Sequence, residues 1–442
     1  MRAIGLVDLA IRRAKRAGAT DAVSQVKETD WSMIRFTNNG ITVSKVVKET
    51  SLGVFVFVKE KRAGFTISDL SKEAVEKAVD NATKMALMSP SGGTYAPLPR
   101  GRFGYSRKLV ALGKVVKADK LPAVVKDAIG AARGAGAARV AGSLVAETTK
   151  LTQRSSAGAK GSSKTTLYNL SVRAFADSES TGQFATVANN LEAIDGRGVG
   201  RMAGDIARRA LNAEPAQPGE YDAVLGPMTT ADLVEEIAGG ASAFYVDAGM
   251  SFLTGKLGQE VAPSHLDLID DPTVPSNPGA APFDDEGLPT QTNAIIESGK
   301  LMTYLHNSTT AAKMKAKTTA SAGLVIPKPF SLQVTAGNKS IENLVSMVDD
   351  GLYITNNWYL RYQNMRSGDF STILRDGLFR IRNGEISAPV RGLRMTDNLV
   401  RLLANIEATS SKRYWIKWWE VDVPVFAPAL LLRGARFTKP TI

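Results

Sequence analysis

Apolar residues at Leu6, Val7, Ala10, Ile11, Ala14 and Ala17 recur with a helical period that stops at Gly18, a residue suited to closing a helix. The pattern then changes to the alternation of β-structure. Residues 21–28, 31–37, 41–49 and 52–59 read as strands of an antiparallel meander, with Asn38-Asn39-Gly40 as turn chemistry between two of them. The helical period returns at Val75, Ala78, Val79, Ala82, Met85 and Ala86, behind Ser71, whose hydroxyl can accept from a free N–H of the first turn. This second helix is expected to cover the sheet.

Prolines and glycines gather over residues 89–104 and predict a domain boundary. Beyond it the theme repeats, with a helix at 121–133, strands at 140–153, 165–176 and 183–189, and a helix at 199–211. The Gly/Ser-rich stretch 155–163 reads as a mobile loop. A proline-containing linker over 213–219 leads to a strand at 221–225 and a helix starting near Thr229 or Thr230. Short strands follow at 293–297, 301–305, 332–335, 352–354, 379–382 and 421–426. The fold class expected is α+β: N-terminal α/β sheet-and-helix domains over 1–100 and 101–214, then a β-rich, barrel-like C-terminal domain over 215–442.

A chain of 442 residues exceeds what one ordinary core holds, in keeping with several domains. Its longest apolar runs, 52–58 and 425–432, fall short of a bilayer span, and no secretion signal is evident after Met1, so a cytoplasmic protein without a membrane partner is expected. The absence of cysteine excludes disulfides, thiolate metal sites and cysteine nucleophiles. The net charge of +12 is unevenly spread. Residues 100–164 carry 14 basic and 3 acidic residues, whereas 216–300 carry 2 basic and 14 acidic ones. Such polarity can steer a partner or pair one domain with another, although a solvated surface is the plainer reading.

Candidate chemistry is sparse. A hydrolytic zinc ordinarily needs three protein ligands and an open position. The two histidines, His265 and His306, have no second ligand at helical spacing and read as structural. Gly196, Gly198, Gly200 and Gly204 suggest a phosphate loop only superficially, because no Lys-Ser/Thr follows. No serine has a nucleophile-elbow setting. Asp270, Asp271, Asp284, Asp285 and Glu286 could gather oxygen ligands, but a tight turn with carboxylates accepting backbone N–H groups, and Gly287 in a conformation closed to other residues, is preferred. The aromatic run from Tyr414 to Trp419, beside Lys412, Arg413 and Lys417, could stack bases, but alternation makes it core on one face and interface on the other.

The helix after Thr230 reads Leu233-Val234-Glu235-Glu236-Ile237-Ala238-Gly239-Gly240 and resembles the metal-binding helix of the TldD/PmbA family without its histidines. TldD members carry His-Glu-x-x-x-His there. Placing that Glu on Glu236 puts the two His positions on Glu235 and Gly240, and a further cysteine ligand has no counterpart. Ser251-Phe252-Leu253-Thr254-Gly255-Lys256-Leu257-Gly258, Asp270-Asp271-Pro272-Thr273, Phe283-Asp284-Asp285-Glu286-Gly287-Leu288-Pro289-Thr290, Ile296-Glu297-Ser298-Gly299-Lys300-Leu301 and Gly368-Asp369-Phe370-Ser371 are similar to family landmarks in the same order, and Asp69-Leu70-Ser71 begins the N-terminal match. Ala320-Ser321-Ala322-Gly323 departs from the family's usual Gly-Asn segment.

The resemblance implies a metal-free PmbA/TldE-type subunit of a TldD/TldE metalloprotease, with no cofactor in this chain and zinc in a TldD-type partner. It also implies an extended peptide substrate held by strand addition. A homodimer of the chain alone, binding peptide without hydrolysis, is a further expectation. A nucleic-acid-associated regulator is the alternative suggested by the basic segment, though no recognition motif supports it.

Overall fold

The computed structural model describes residues 2–90 and 95–440; the part of the expected 89–104 linker at 91–94 lies outside them. Helix α1 (Ala3–Arg16) leads into two long strands, β1 (Asp21–Thr37) and β2 (Gly40–Val58), and then β3 (Lys61–Ile67). Four short strands were expected where these two stand. The turn between them places Asn38 and Asn39 at φ 51° and 68°, the left-handed pair that a tight hairpin requires. Helix α2 (Lys72–Met88) starts as predicted, with Ser71 Oγ accepting from Ala74 N.

The next elements are α3 (Leu121–Gly134), β4 (Arg139–Ser155), β5 (Lys160–Phe175), β6 (Thr181–Ala188) and α4 (Gly196–Arg209). Residues 155–163 are therefore mostly strand joined by a tight turn, because β5 pairs with β4 from Arg154↔Lys160 onward. The boundary expected near residue 100 does not separate two sheets. β1 is antiparallel to β2 on one side and to β4 on the other, so both N-terminal segments build one seven-stranded sheet.

Alternate residues of β1 face the same side, and that side carries two cores. Ala22 and Val26 pack with Leu6, Val7, Val75 and Val79 of the first helix pair, while Ile34 and Phe36 join the cluster holding Leu121, Val125, Val199 and Ala203 of the second.

The glycines of α4 explain how the second helix pair closes. A β-carbon at Gly196 would stand 2.7 Å from the Val124 carbonyl oxygen, and one at Gly200 or Gly204 would collide with the carbonyls of Ala128 and Ala132. Spaced four apart on α4 against residues spaced four apart on α3, they let the two backbones touch. This is helix packing and not a phosphate cradle.

The C-terminal domain contains β7 (Gly219–Leu225), α5 (Pro227–Gly240), β8 (Asp350–Asn364), β9 (Asp369–Arg382), β10 (Arg394–Asn398), β11 (Ile406–Trp418) and β12 (Val421–Thr438), with further strands between. β12 pairs with β7, β7 with β8, β8 with β9, β9 with β10, and β10 returns to β12, which closes a ring. The α+β class with a barrel-like C-terminal part is thus present. Strands β8 and β9 are longer than the expected 352–354 and 379–382, because Asn356 and Asp376-Gly377 are irregularities within continuous strands: the register shifts after Ile354, and Asp376 takes φ 57°.

Candidate functional site

Helix α5 begins at Pro227, two or three residues before the expected start, where a residue lacking an N–H loses nothing. Its apolar residues Met228, Ala231, Leu233, Val234, Ile237 and Ala238 are buried. Asp232, Glu235 and Glu236 share one side of it at helical spacing.

Each of these carboxylates has a protein partner. Asp232 accepts from Asn357 Nδ2, which also donates to Thr372 Oγ1 at 2.9 Å. Burial pushes the Asp232 carboxyl well above its ordinary range, and the neighbouring Glu236, Glu420 and Glu235 add to the effect. Glu235 accepts from the backbone N–H groups of Asp422 and Val423 at 3.0 and 2.7 Å, at the start of β12. Burial nevertheless raises it to about 7.

Glu236 is also raised by burial, opposed by a hydrogen bond from the Tyr362 hydroxyl and by the charge of Arg361. Glu420, in the turn between β11 and β12, accepts from Tyr359 N at 2.9 Å and pairs with Arg361 at 3.3 Å.

The remaining position, Gly240, is closed by packing. A β-carbon there would lie 2.6 Å from Cζ of Phe252, a ring that is itself buried and 6.4 Å, centroid to centroid, from Tyr362. Ser251 Oγ donates to Gly240 O at 2.5 Å, and Tyr304 Oη donates to Leu253 O at 2.7 Å, fixing the segment that carries the ring. Gly368, at φ 83°, lets the next turn pass over the same ring.

Neither Glu235 nor Gly240 therefore offers an imidazole, and the residues present do not fit the His-Glu-x-x-x-His arrangement. Among the described residues no group of three or more His, Cys, Asp or Glu could hold a metal ion. The structure leaves His265 exposed and buries His306, whose Nδ1 lies 3.2 Å from Thr310 Oγ1 and whose pKa burial lowers.

The acidic turn has the geometry expected of it. Asp284 Oδ1 accepts from Glu286 N and Leu288 N at 3.0 and 2.9 Å, and Oδ2 accepts from Ala322 N at 3.2 Å, inside the segment that departs from the usual Gly-Asn. Gly287 takes φ 89°. Burial raises Asp284 to about 8 and Asp270 to about 7.

The turn also docks the C-terminal domain on the N-terminal sheet: Gln153 Nε2 donates to the carbonyls of Asp284 and Asp285, and Tyr105 Oη to that of Gly287 at 2.8 Å. Much of the negative charge of 216–300 is thus interior hydrogen-bonding capacity and not a solvated surface.

Sequence reasoning missed Asp232, Asn357, Tyr362, Arg361 and Glu420. Asp232 was visible as a carboxylate one turn before Glu236 in an apolar helix; the others come from distant strands and left no local signal. In the aromatic run Ile416 and Trp418 are buried, Trp415 stacks on Phe426 at 4.8 Å, and Trp419 is exposed beside Tyr359.

Residues 218–439 match the PmbA/TldA metallopeptidase C-terminal domain, and residues 26–86 match PmbA/TldA metallopeptidase domain 1. A metalloprotease of Synechocystis sp. is 30% identical over 217 residues, 47% of this chain and 46% of the relative, so the chain spans about half the length of that protein. A metalloprotease PmbA homolog of Haemophilus influenzae is 23% identical over 91% of this chain and 90% of its own length. Among solved structures, TldE from Thermococcus kodakarensis covers 98% of this chain with a TM-score of 0.80 at 18% identity. A Thermotoga maritima protein described as a candidate modulator of a DNA gyrase gives 0.82 at 22%. With the family's C-terminal domain matched over half of its length and its landmarks in order, the chain belongs to the PmbA/TldD metallopeptidase family.

Proposed function

We propose that this chain is the non-catalytic, PmbA/TldE-type subunit of a two-chain cytoplasmic metalloprotease, acting beside a TldD-type partner that holds zinc. The observation that carries the reading is the Phe252 ring against Gly240: the space that a second histidine would need is filled by a side chain held from both ends. Glu235, at the other ligand position, is engaged by two backbone N–H groups.

In such a complex the zinc would polarise the peptide carbonyl and activate water on the partner. This chain's contribution is a fold that completes the chamber and helps to hold an extended peptide by strand addition. Its own α5 carboxylates are engaged by Asn357, by the backbone N–H groups of Asp422 and Val423, and by the Tyr362 hydroxyl. Among the described residues no helix is long and apolar enough to cross a membrane.

The test is to purify the chain with and without a co-expressed TldD-type protein and follow cleavage of an unstructured peptide. Activity that requires both chains supports the proposal; equal activity of the partner alone, with no association, refutes it.

A further inference from the structure

Where the N-terminal sheet meets the C-terminal ring, the end of β5, the loop before β6, the residues just after α4 and the irregular stretch of β9 surround an open cavity of about 720 Å³. That volume suits a small organic molecule. No residue of α5 lines it.

Arg173, near the end of β5, is held in place inside this cavity. Its Nε donates to Asp376 Oδ1 at 2.8 Å, and its guanidinium lies 5.2 Å from the ring centroid of Phe175 and 4.8 Å from that of Trp358. A carboxylate and two rings thus fix the guanidinium, while both of its Nη nitrogens have no hydrogen-bond partner among the described residues. Asp376 is fully committed to this arrangement: its side chain is buried, and its second oxygen accepts from Trp358 Nε1 at 2.8 Å. The left-handed φ of 57° at Asp376 falls in this same stretch, a backbone conformation that the surroundings must hold in place.

Arg375, the residue before it, also lines the cavity. It is exposed and has no ion pair or hydrogen bond among the described residues; its contact is the Trp358 ring, 5.4 Å from the centroid. The other charged groups of the lining are engaged: Arg391 pairs with Glu179 at 2.8 Å, and Asp177 accepts from the N–H groups of Glu179 and Ser180 within its own turn. The charged donors left over are therefore those of Arg173 and Arg375, on one ring and facing one space. Guanidinium forks match the paired oxygens of a carboxylate or phosphate. Beside them Leu374, Leu378 and Val390 supply an apolar wall.

We propose that this cavity is a binding site for a small organic anion, its carboxylate or phosphate held by Arg375 and the free Nη atoms of Arg173 and its apolar body laid against Leu374, Leu378 and Val390. Asp376 is the positioning residue that aims the Arg173 fork. The inference goes beyond the subunit reading and does not rest on it, since it uses no residue of α5 and no metal.

The experiment is isothermal titration calorimetry on the full chain alone with four probes, 3-phenylpropionate, phenyl phosphate, inorganic phosphate and the neutral 3-phenylpropionamide, repeated on R375Q. Arg375 lies at the surface without an ion pair, and equal urea midpoints for the two proteins show that the variant is folded. The expected result is one site per chain for an aromatic anion, with the neutral amide and the R375Q variant each at least about tenfold weaker, the scale of one charge-assisted contact. The tighter of 3-phenylpropionate and phenyl phosphate tells whether carboxylate or phosphate is the head group. Binding of neither aromatic anion at about 10 mM overturns the proposal. So do an amide that binds as well as the acid, inorganic phosphate that binds as well as phenyl phosphate, or a folded R375Q that binds like wild type.

Discussion

The ring of Phe252 stands where a side chain at Gly240 would have to begin, with Cζ only 2.6 Å from the position of the missing β-carbon. The two residues are a fitted pair: an aromatic ring on a loop has grown into the space left by a glycine near the end of a buried helix. Substituting Gly240 by Ala is expected to destabilise the fold by about 1–3 kcal/mol through overpacking. Phe252→Ala alone should cost about 3–5 kcal/mol. Combined, the changes should cost less than their sum by at least about 0.5 kcal/mol, because the vacated ring space accepts the new methyl. Urea unfolding of the four proteins measures this, and strict additivity would show that the two sites do not share space.

The glycines of α4 predict a contrast within one helix pair. Gly200→Ala drives a methyl into the Ala128 carbonyl and should cost about 2 kcal/mol or more as the helices separate. Gly130→Ala on α3, where a β-carbon meets nothing within 4 Å, should stabilise by about 0.5–1 kcal/mol. Thermal unfolding distinguishes the two; equal effects would mean that the close approach does not matter.

Burial raises Glu235 from 4.5 to about 7, so the folded state favours its neutral form more than the unfolded state does. That contribution is complete below about pH 4.5 and is lost as pH rises through 7, amounting to at most about 3 kcal/mol. Asp270 and Asp284, raised to about 7 and about 8, act in the same direction. Glu235→Gln should therefore flatten part of the decline in stability between pH 5 and 8, measured by urea midpoints at each pH. A variant with the full wild-type slope would contradict the assignment.

Asp376 ties the two halves of the molecule together. Its side chain is fully buried, 2.8 Å from Arg173 Nε of the N-terminal sheet and 2.8 Å from Trp358 Nε1. Asp376→Ala strands a largely covered guanidinium and an indole N–H, at a cost of about 3–5 kcal/mol, whereas Arg173→Met/Asp376→Ala removes the stranded charge and should recover part of it, the Trp358 N–H staying unpaired. Unfolding curves of the single and double variants provide the check.

What was legible beforehand follows from how local each signal is. Helix α2 was readable from Ser71 and its apolar stripe, and α3 from its period, because both depend on residues within a few positions. The long strands β1 and β2 were read as four pieces, since their polar, exposed middle portions break the alternation although the backbone pairing continues.

At the candidate site, Glu235, Glu236 and Gly240 were named from the family's helix pattern. Their surroundings were not, because Asn357, Tyr362, Glu420 and the ring of Phe252 reach the helix from other parts of the chain. The acidic turn lay between these cases: its hydrogen bonds are local and were anticipated, whereas its contact with Gln153 and Tyr105 required the fold.

The central claim, that this chain has no hydrolytic zinc centre of its own, is tested most directly by equilibrium dialysis of the purified single chain against zinc, with metal content and peptide cleavage read on the same sample. Zinc far below one per chain, with no cleavage until a TldD-type protein is added, is the predicted result. One zinc held per chain, displaced by a Glu236→Ala change and accompanied by cleavage without any partner, would contradict it.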